Sequence, residues 1–414
     1  MRSIVVRIVL LAVLTPAIDR LGAEETTPAP NTEQLRKAAE AGNAAAMNDL
    51  GVAYKEGRGV PPDLAQAAAW FRKAADAGDA RGMRNLAKAY ENASGVPRDV
   101  PQALAWYSKA AEAGNATAMF NVGRMYRYGI GAPKDEKAAE QWFAKAAPLC
   151  KAGAEAGDAE LTNTYGAMLR QGWGVPKDDA AGISCYRQAA ELGDLNALLN
   201  LGQMYARGNG VPKDQKESEK WLLKAAERND VPAEFELGQL YALAEPPLRN
   251  DAEAARWLGK AAEAGSLGGM IQLGMLYENG RGVPKSEEDA VKWYRKAADG
   301  GAVRGMTVLG EAYAQGKGGL HKDPRQAIQW YRKAAEAGDT AAMFDLGDTY
   351  WRGLGVAKNP KEAVTWYRKA AEAGNGRGME MLAEAYAKGQ GVPRDQAEAA
   401  RWKEKAEQTR GATR

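Results

Sequence analysis

The side chains able to do bond chemistry are few, and their spacing suits none of the common mechanisms. His321 is the only histidine, and it stands in a glycine-rich stretch, Gly318-Gly319-Leu320-His321. A serine or cysteine nucleophile needs an adjacent base, so a Ser-His-Asp set would have to recruit His321; its setting marks it as a surface loop residue. Cys150 and Cys185 are the only thiols. Three His and Cys residues in all do not make the multi-ligand cluster that zinc demands. Neither the phosphate-binding G-x-x-x-x-G-K-[ST] loop nor the S-x-x-K signature of serine acyl transfer occurs. No catalytic residue, metal or cofactor is expected. Lys73 with Asp76, Lys109 with Glu112, Lys224 with Glu227 and Lys333 with Glu336 are spaced i, i+3, as expected of a solvated helix face carrying weak ion pairs.

These residues are carried on a repeated scaffold. The stretch Asn43–Gly78, 36 residues long, recurs about ten times. Its ruler is Trp70, Trp106, Trp142, Trp221, Trp257, Trp293, Trp330, Trp366 and Trp402. A fixed period of this length marks a stacked array. Within a unit, Asn43 is a good N-cap, and Met47, Leu50 and Tyr54 share one helical face. Gly57 and Gly59 stop that helix, Val60-Pro61 extends the link, and Asp63 caps a second helix with Ala67, Trp70, Phe71 and Ala74 as its apolar face. Matching caps recur in every unit except at Ala302. Gly51 recurs as Gly or Ala in all ten units; glycine inside a helix costs roughly 1 kcal/mol, and close helix–helix approach is the simplest reason for it.

The motifs A-M-x-x-L-G-x-x-Y-x-x-G-x-G-V-P at Ala46–Pro61 and A-x-x-W-[FY]-x-K-A-A at Ala67–Ala75 resemble the Sel-one-like repeat family, relatives of the tetratricopeptide repeats. The resemblance covers residues 35–408. It implies an all-α, right-handed superhelical solenoid of about ten helix-turn-helix repeats that holds other proteins on a concave surface lined by the first helices. It implies no catalytic residue.

Residues 1–23 read as a secretory signal peptide, with Arg2 and Arg7 before the apolar run Ile8–Ala17. Residues 24–34 read as a flexible tether, and residues 409–414 as a polar tail. With 1–23 removed, 53 basic and 52 acidic residues remain, without the basic excess of a nucleic-acid binder. No membrane span is expected in the mature chain. A periplasmic or secreted location follows. In an exported chain two nearby thiols often pair, so a Cys150–Cys185 disulfide stands beside the alternative of a buried Cys185 and an idle Cys150.

A variable stripe on the first helices, at positions matching 45, 49, 52 and 56, shares one face. It carries Arg81, Asn85, Lys88 and Asn92; Thr117, Asn121, Arg124 and Tyr128; Asn196, Asn200, Gln203 and Arg207; then Arg304, Glu311, Gln315, Asp345, Asp348 and Arg352. Such a ladder suits a partner's backbone and carboxylates. Trp173 and Trp351 lie off the repeat pattern and are candidate exposed contacts. The expected role is an exported, non-enzymatic adaptor or scaffold for a protein or peptide. The alternatives are a periplasmic regulator that sequesters a membrane sensor domain, and a cell-wall hydrolase using acidic residues.

Overall fold

A computed structural model describes residues 32–412. The expected leader at 1–23, the expected tether as far as residue 31 and residues 413–414 lie outside the described residues. Within them the chain is all-helical: 21 α-helices and no strand. Contacts divide it into two compact units that part after Cys150.

The first unit contains α1 (Thr32–Glu40), α2 (Ala44–Glu56), α3 (Leu64–Asp76), α4 (Ala80–Asn92), α5 (Val100–Glu112), α6 (Ala116–Tyr128) and the larger part of α7 (Glu136–Glu155). The second contains α8 (Ala159–Gln171), α9 (Asp179–Glu191), α10 (Leu195–Arg207), α11 (Gln215–Ala226), α12 (Val231–Leu243), α13 (Asp251–Glu263) and α14 (Leu267–Asn279). It continues with α15 (Glu287–Asp299), α16 (Val303–Gln315), α17 (Pro324–Glu336), α18 (Thr340–Arg352), α19 (Pro360–Glu372), α20 (Gly376–Lys388) and α21 (Gln396–Ala412). Within each unit consecutive helices pack as hairpins, each against the next.

The hairpins form because their ends are written into the sequence. Asn43, Asp79, Asn115, Asp158, Asp194, Asp230, Ser266, Asp339 and Asn375 each accept a backbone N–H three residues on, whereas Ala302 offers no side-chain cap. Gly57 closes α2 at φ 71°, a left-handed conformation that glycine bears cheaply. Residues 32–34, expected in the tether, begin α1, and residues 409–412, expected in the tail, extend α21. The extra residues after Ala147 lengthen the second helix of their hairpin: α7 has 20 residues where most have 13, and Pro148 lies inside it.

Close approach explains the recurrent small residue. A Cβ on Gly51 would come within 2.6 Å of the Phe71 ring, and one on Gly310 within 2.7 Å of the Tyr331 ring. The side chain twenty or so residues later lies directly across the glycine backbone. Six marker tryptophans are buried: Trp70, Trp106, Trp221, Trp257, Trp366 and Trp402. Trp142, Trp293 and Trp330 are only partly so. The lysine three residues after each marker does not take the expected acidic neighbour. Its ammonium lies over the marker's indole at 3.8–4.8 Å in all nine cases, where the ring's negative face attracts it.

The disulfide is corrected: both cysteines remain thiols. Cys150 is enclosed in the packing of α7, while Cys185 lies on α9 against the α8 backbone, 3.0 Å from where a Gly166 Cβ would stand. Trp173 is also corrected. It is 8 % exposed, because Gly172 turns the chain left-handed and the Trp173 N–H bonds back to the Met168 carbonyl at 3.0 Å. That motif folds the following side chain onto the helix it terminates.

Candidate partner-docking face

Much of the first-helix stripe is engaged with the next first helix. The Asn85 amide donates to the Asn48 Oδ1 at 2.8 Å, and Asn200 repeats this on Asn163 at 3.1 Å. Arg124 bonds Glu91 at 2.5 Å, and Gln203 bonds Glu236 at 2.8 Å. Arg207 approaches the same Glu236 at 3.7 Å, and Arg81 pairs with Asp49 at 3.5 Å. Thr117 and Asn121 are half-buried, while Lys88, Asn92, Tyr128, Asn196 and Gln315 reach solvent. His321 is exposed in the turn between α16 and α17.

A second set of bonds escaped sequence reasoning. Arg36, Arg72, Arg187, Arg295, Arg332 and Arg368 each donate to a tyrosine hydroxyl 18 residues on: Tyr54, Tyr90, Tyr205, Tyr313, Tyr350 and Tyr386. Each rung ties a second helix to the first helix that follows it. The constant offset was the available signal.

The chemistry of the face changes along α14, α16, α18 and α20 of the second unit. Tyr294 donates to Glu278 at 3.0 Å, and Lys317 pairs with the same carboxylate at 3.4 Å. Glu311 of α16 and Asp345 of α18 are half-buried. Burial pushes the Asp345 carboxyl up to about 6, with the Glu311 charge adding to the effect. Glu311 is raised by the same burial; Glu278 and Asp339 add to this, against the pull of Arg304 and Lys317. Burial and the charges of Asp345, Glu311 and Asp348 hold Tyr331 firmly neutral.

Between α18 and α20 lies an open cleft lined by aromatic and apolar side chains, Phe344, Trp351 and Met381, with Asp348, Arg352 and Arg377 among its polar walls. Trp351 is part-buried, its ring 6.0 Å from that of Tyr367. Arg377 lies over Phe344 at 4.0 Å, and Arg352 bonds Asp348 at 2.9 Å. The cleft offers stacking surface and paired charges. Among the described residues no group of three or more His, Cys, Asp and Glu is placed to hold a metal ion, and no helix is long and apolar enough to cross a membrane.

Helical hairpins in tandem, joined by side-chain rungs, define a helical repeat protein of the kind that typically mediates protein–protein interaction and is generally a non-catalytic scaffold. The Sel1 repeat model matches residues 44–79, 80–115, 116–147, 165–194, 195–230, 231–266, 268–301, 303–339, 340–375 and 376–408. This chain belongs to the Sel1 repeat family. Among solved structures it is similar to c5321, a protective antigen present in uropathogenic Escherichia coli strains and displaying an SLR fold. That similarity is 36% identity over 91% of this chain and 79% of the other, with a TM-score of 0.55. It is also similar to a Sel1 repeat protein from Oxalobacter formigenes, 30% identical over 75% of this chain and 88% of the other, TM-score 0.45. No curated protein matches the chain.

Proposed function

We propose that this chain is an exported, non-catalytic adaptor, periplasmic or secreted, that docks a protein or peptide partner on the first-helix face of its second unit. The observation that carries the reading is the cleft between α18 and α20. It puts Trp351, Phe344 and Met381 beside Arg377 and Arg352, and tryptophan and arginine are enriched in binding hot spots. The leader-like residues 1–23 support export. The test is a photo-crosslinking residue in place of Met381, activated in the native cell envelope and read by mass spectrometry. Specific adducts are expected there and not from a probe at the exposed Glu336 of α17. Identical adducts from both positions, or none at Met381, would overturn the reading. Several envelope proteins captured would speak for a general scaffold; one membrane sensor would speak for a sequestering regulator.

One observation favours a second reading. Glu311 and Asp345 are raised carboxyls on neighbouring helices, as a cell-wall hydrolase would need for a general acid. Glycoside hydrolysis, however, works through two carboxyl groups whose environments push them apart, one protonated and one ionised. Burial pushes these two in the same direction, which supports the adaptor. Turnover of cell-wall fragments that disappears in Glu311→Gln would reverse the order of preference.

A further inference from the structure

Two phenols of the second unit lack the partner that their counterparts have. In α5 and α15 the tyrosine lying across the preceding first helix donates to that helix's own glutamate: Tyr107 to Glu91 at 3.1 Å and Tyr294 to Glu278 at 3.0 Å. The corresponding residues of α16 and α18 are Ala314 and Trp351, which have no carboxylate to offer. Tyr331 is 5 % exposed, and Ala314 gives it no carboxylate of the kind Glu91 and Glu278 supply. Tyr367 is fully buried, and its hydroxyl has no hydrogen-bond partner. A buried hydroxyl left unpaired is costly.

The Tyr331 phenol stands among the carboxylates of α16 and α18: the charges of Asp345, Glu311 and Asp348 all act on it. The Tyr331 ring lies across Gly310 and the Tyr367 ring across Gly347, each 2.7 Å from where a glycine Cβ would be. The next residue on α16 is Glu311 and on α18 is Asp348, with Asp345 one turn earlier. The cations nearby are occupied or displaced: Lys317 pairs with Glu278, Arg352 with Asp348, and Arg377 lies over Phe344. Arg304 is exposed, two turns before Glu311. Asp339 adds negative charge from the α18 cap. Glu311 and Asp345 are thus half-buried carboxylates whose neighbouring cations, Arg304 and Lys317 for the first and Arg377 for the second, act on them without a close ion pair, beside the Tyr331 phenol oxygen, which can accept.

We infer that the α16–α18 face receives a basic side chain of the docked protein, which donates to Glu311, Asp345 and the Tyr331 phenol oxygen. An ammonium carries three donors and a guanidinium five, and neither has an acceptor of its own, so either can donate to both carboxylates and to the phenol oxygen at once. The inference rests on the docking reading and names the chemistry of the partner. Binding costs less desolvation of the carboxylates than an exposed pair would, since the fold has already removed much of their water. Because a bound cation favours the ionised carboxylates, capture releases protons and must weaken on acidification.

The test uses the full chain and a blocked peptide of alternating lysine and glycine, with norleucine replacing lysine in the control peptide. Binding is followed by fluorescence anisotropy at low salt. The native chain is expected to bind the lysine peptide and not its control, and to bind it about fivefold more weakly near pH 5 than near pH 7.5. Glu311→Gln with Asp345→Asn should lower affinity at least about tenfold. The same pair should raise the thermal midpoint near pH 7.5, since it removes two poorly solvated charges. Glu372→Gln, on exposed α19 surface, should change neither. Equal binding of both peptides, full binding by the double variant, or no binding by the native chain would overturn the inference. If the peptide fails while crosslinking at Met381 still captures a partner, docking stands and the basic side chain falls; failure of both removes both.

Discussion

Glu234 occupies a methionine's place. It stands four residues after its helix cap, as Met47 and Met119 do, yet it is 3 % exposed and makes no side-chain hydrogen bond. Burial raises its carboxyl to about 7; Lys260 opposes that shift and Asp230 adds to it. A folded-state value above the unfolded one contributes stability at low pH that is lost as pH rises from about 4.5 to about 7. Glu234→Met should therefore stabilise the chain by about 1–3 kcal/mol above neutrality and by much less near pH 5. Urea denaturation at the two pH values would show it; an equal gain at both would contradict the ionisation account. The cysteines make a second expectation at this scale. Without reductant, alkylation should label only the part-exposed Cys185 in the native chain, slowly because burial raises its thiol, and both thiols after denaturation. No label on either cysteine in the denatured chain would restore the disulfide. Sequence could place Trp173 in a turn but not on a surface, because its burial depends on the left-handed residue before it. Glu234 was readable as a break in the methionine column, though not as a buried charge.

At the scale of the element, Ala302 is the informative exception. Its backbone, φ −69° and ψ 112°, matches that of the capped Asp339, φ −71° and ψ 113°, but no side chain receives the free amide. Ala302→Asp should need no rearrangement and should stabilise by about 1 kcal/mol, seen as a higher thermal midpoint by circular dichroism. An unchanged or lower midpoint would mean that the site is held by packing alone. Helix positions were legible because caps, glycines and the prolines after them are local signals. The lysine above each indole was not, since an i, i+3 acidic neighbour gave an equally local partner. The geometry decides for the ring: the lysine stem runs along the same helix face as the tryptophan, so its ammonium reaches the indole without leaving the surface.

For the molecule as a whole, stability is set by neighbours, as in any array in which each hairpin touches only the next. An extended core cluster among the described residues runs from Ile183 to Leu276, through α9–α14 of the second unit. Native-state hydrogen exchange should find the slowest amides in α10–α13 and faster ones in α1 and α21, at the ends of the described chain. Uniform protection would indicate one all-or-none body. The array was legible from its period alone, and the comparison with known proteins agrees. The docking face was only half legible. The stripe was located on the correct helices, but which members bond the next helix and which stay unsatisfied depends on contacts 33 to 37 residues apart, beyond the reach of a single repeat's pattern.

The arginine–tyrosine rungs bear on how such a chain can change length. Each joins residues 18 apart across a unit boundary, and Tyr126 follows Tyr90 by one full period. Excising residues 80–115 would bring Arg72 to the same offset from Tyr126, so the seam would heal with its bond intact. Recombination at a boundary that carries a rung can therefore drop a whole module without orphaning a guanidinium or a phenol at the junction, leaving selection to act on what the altered array holds.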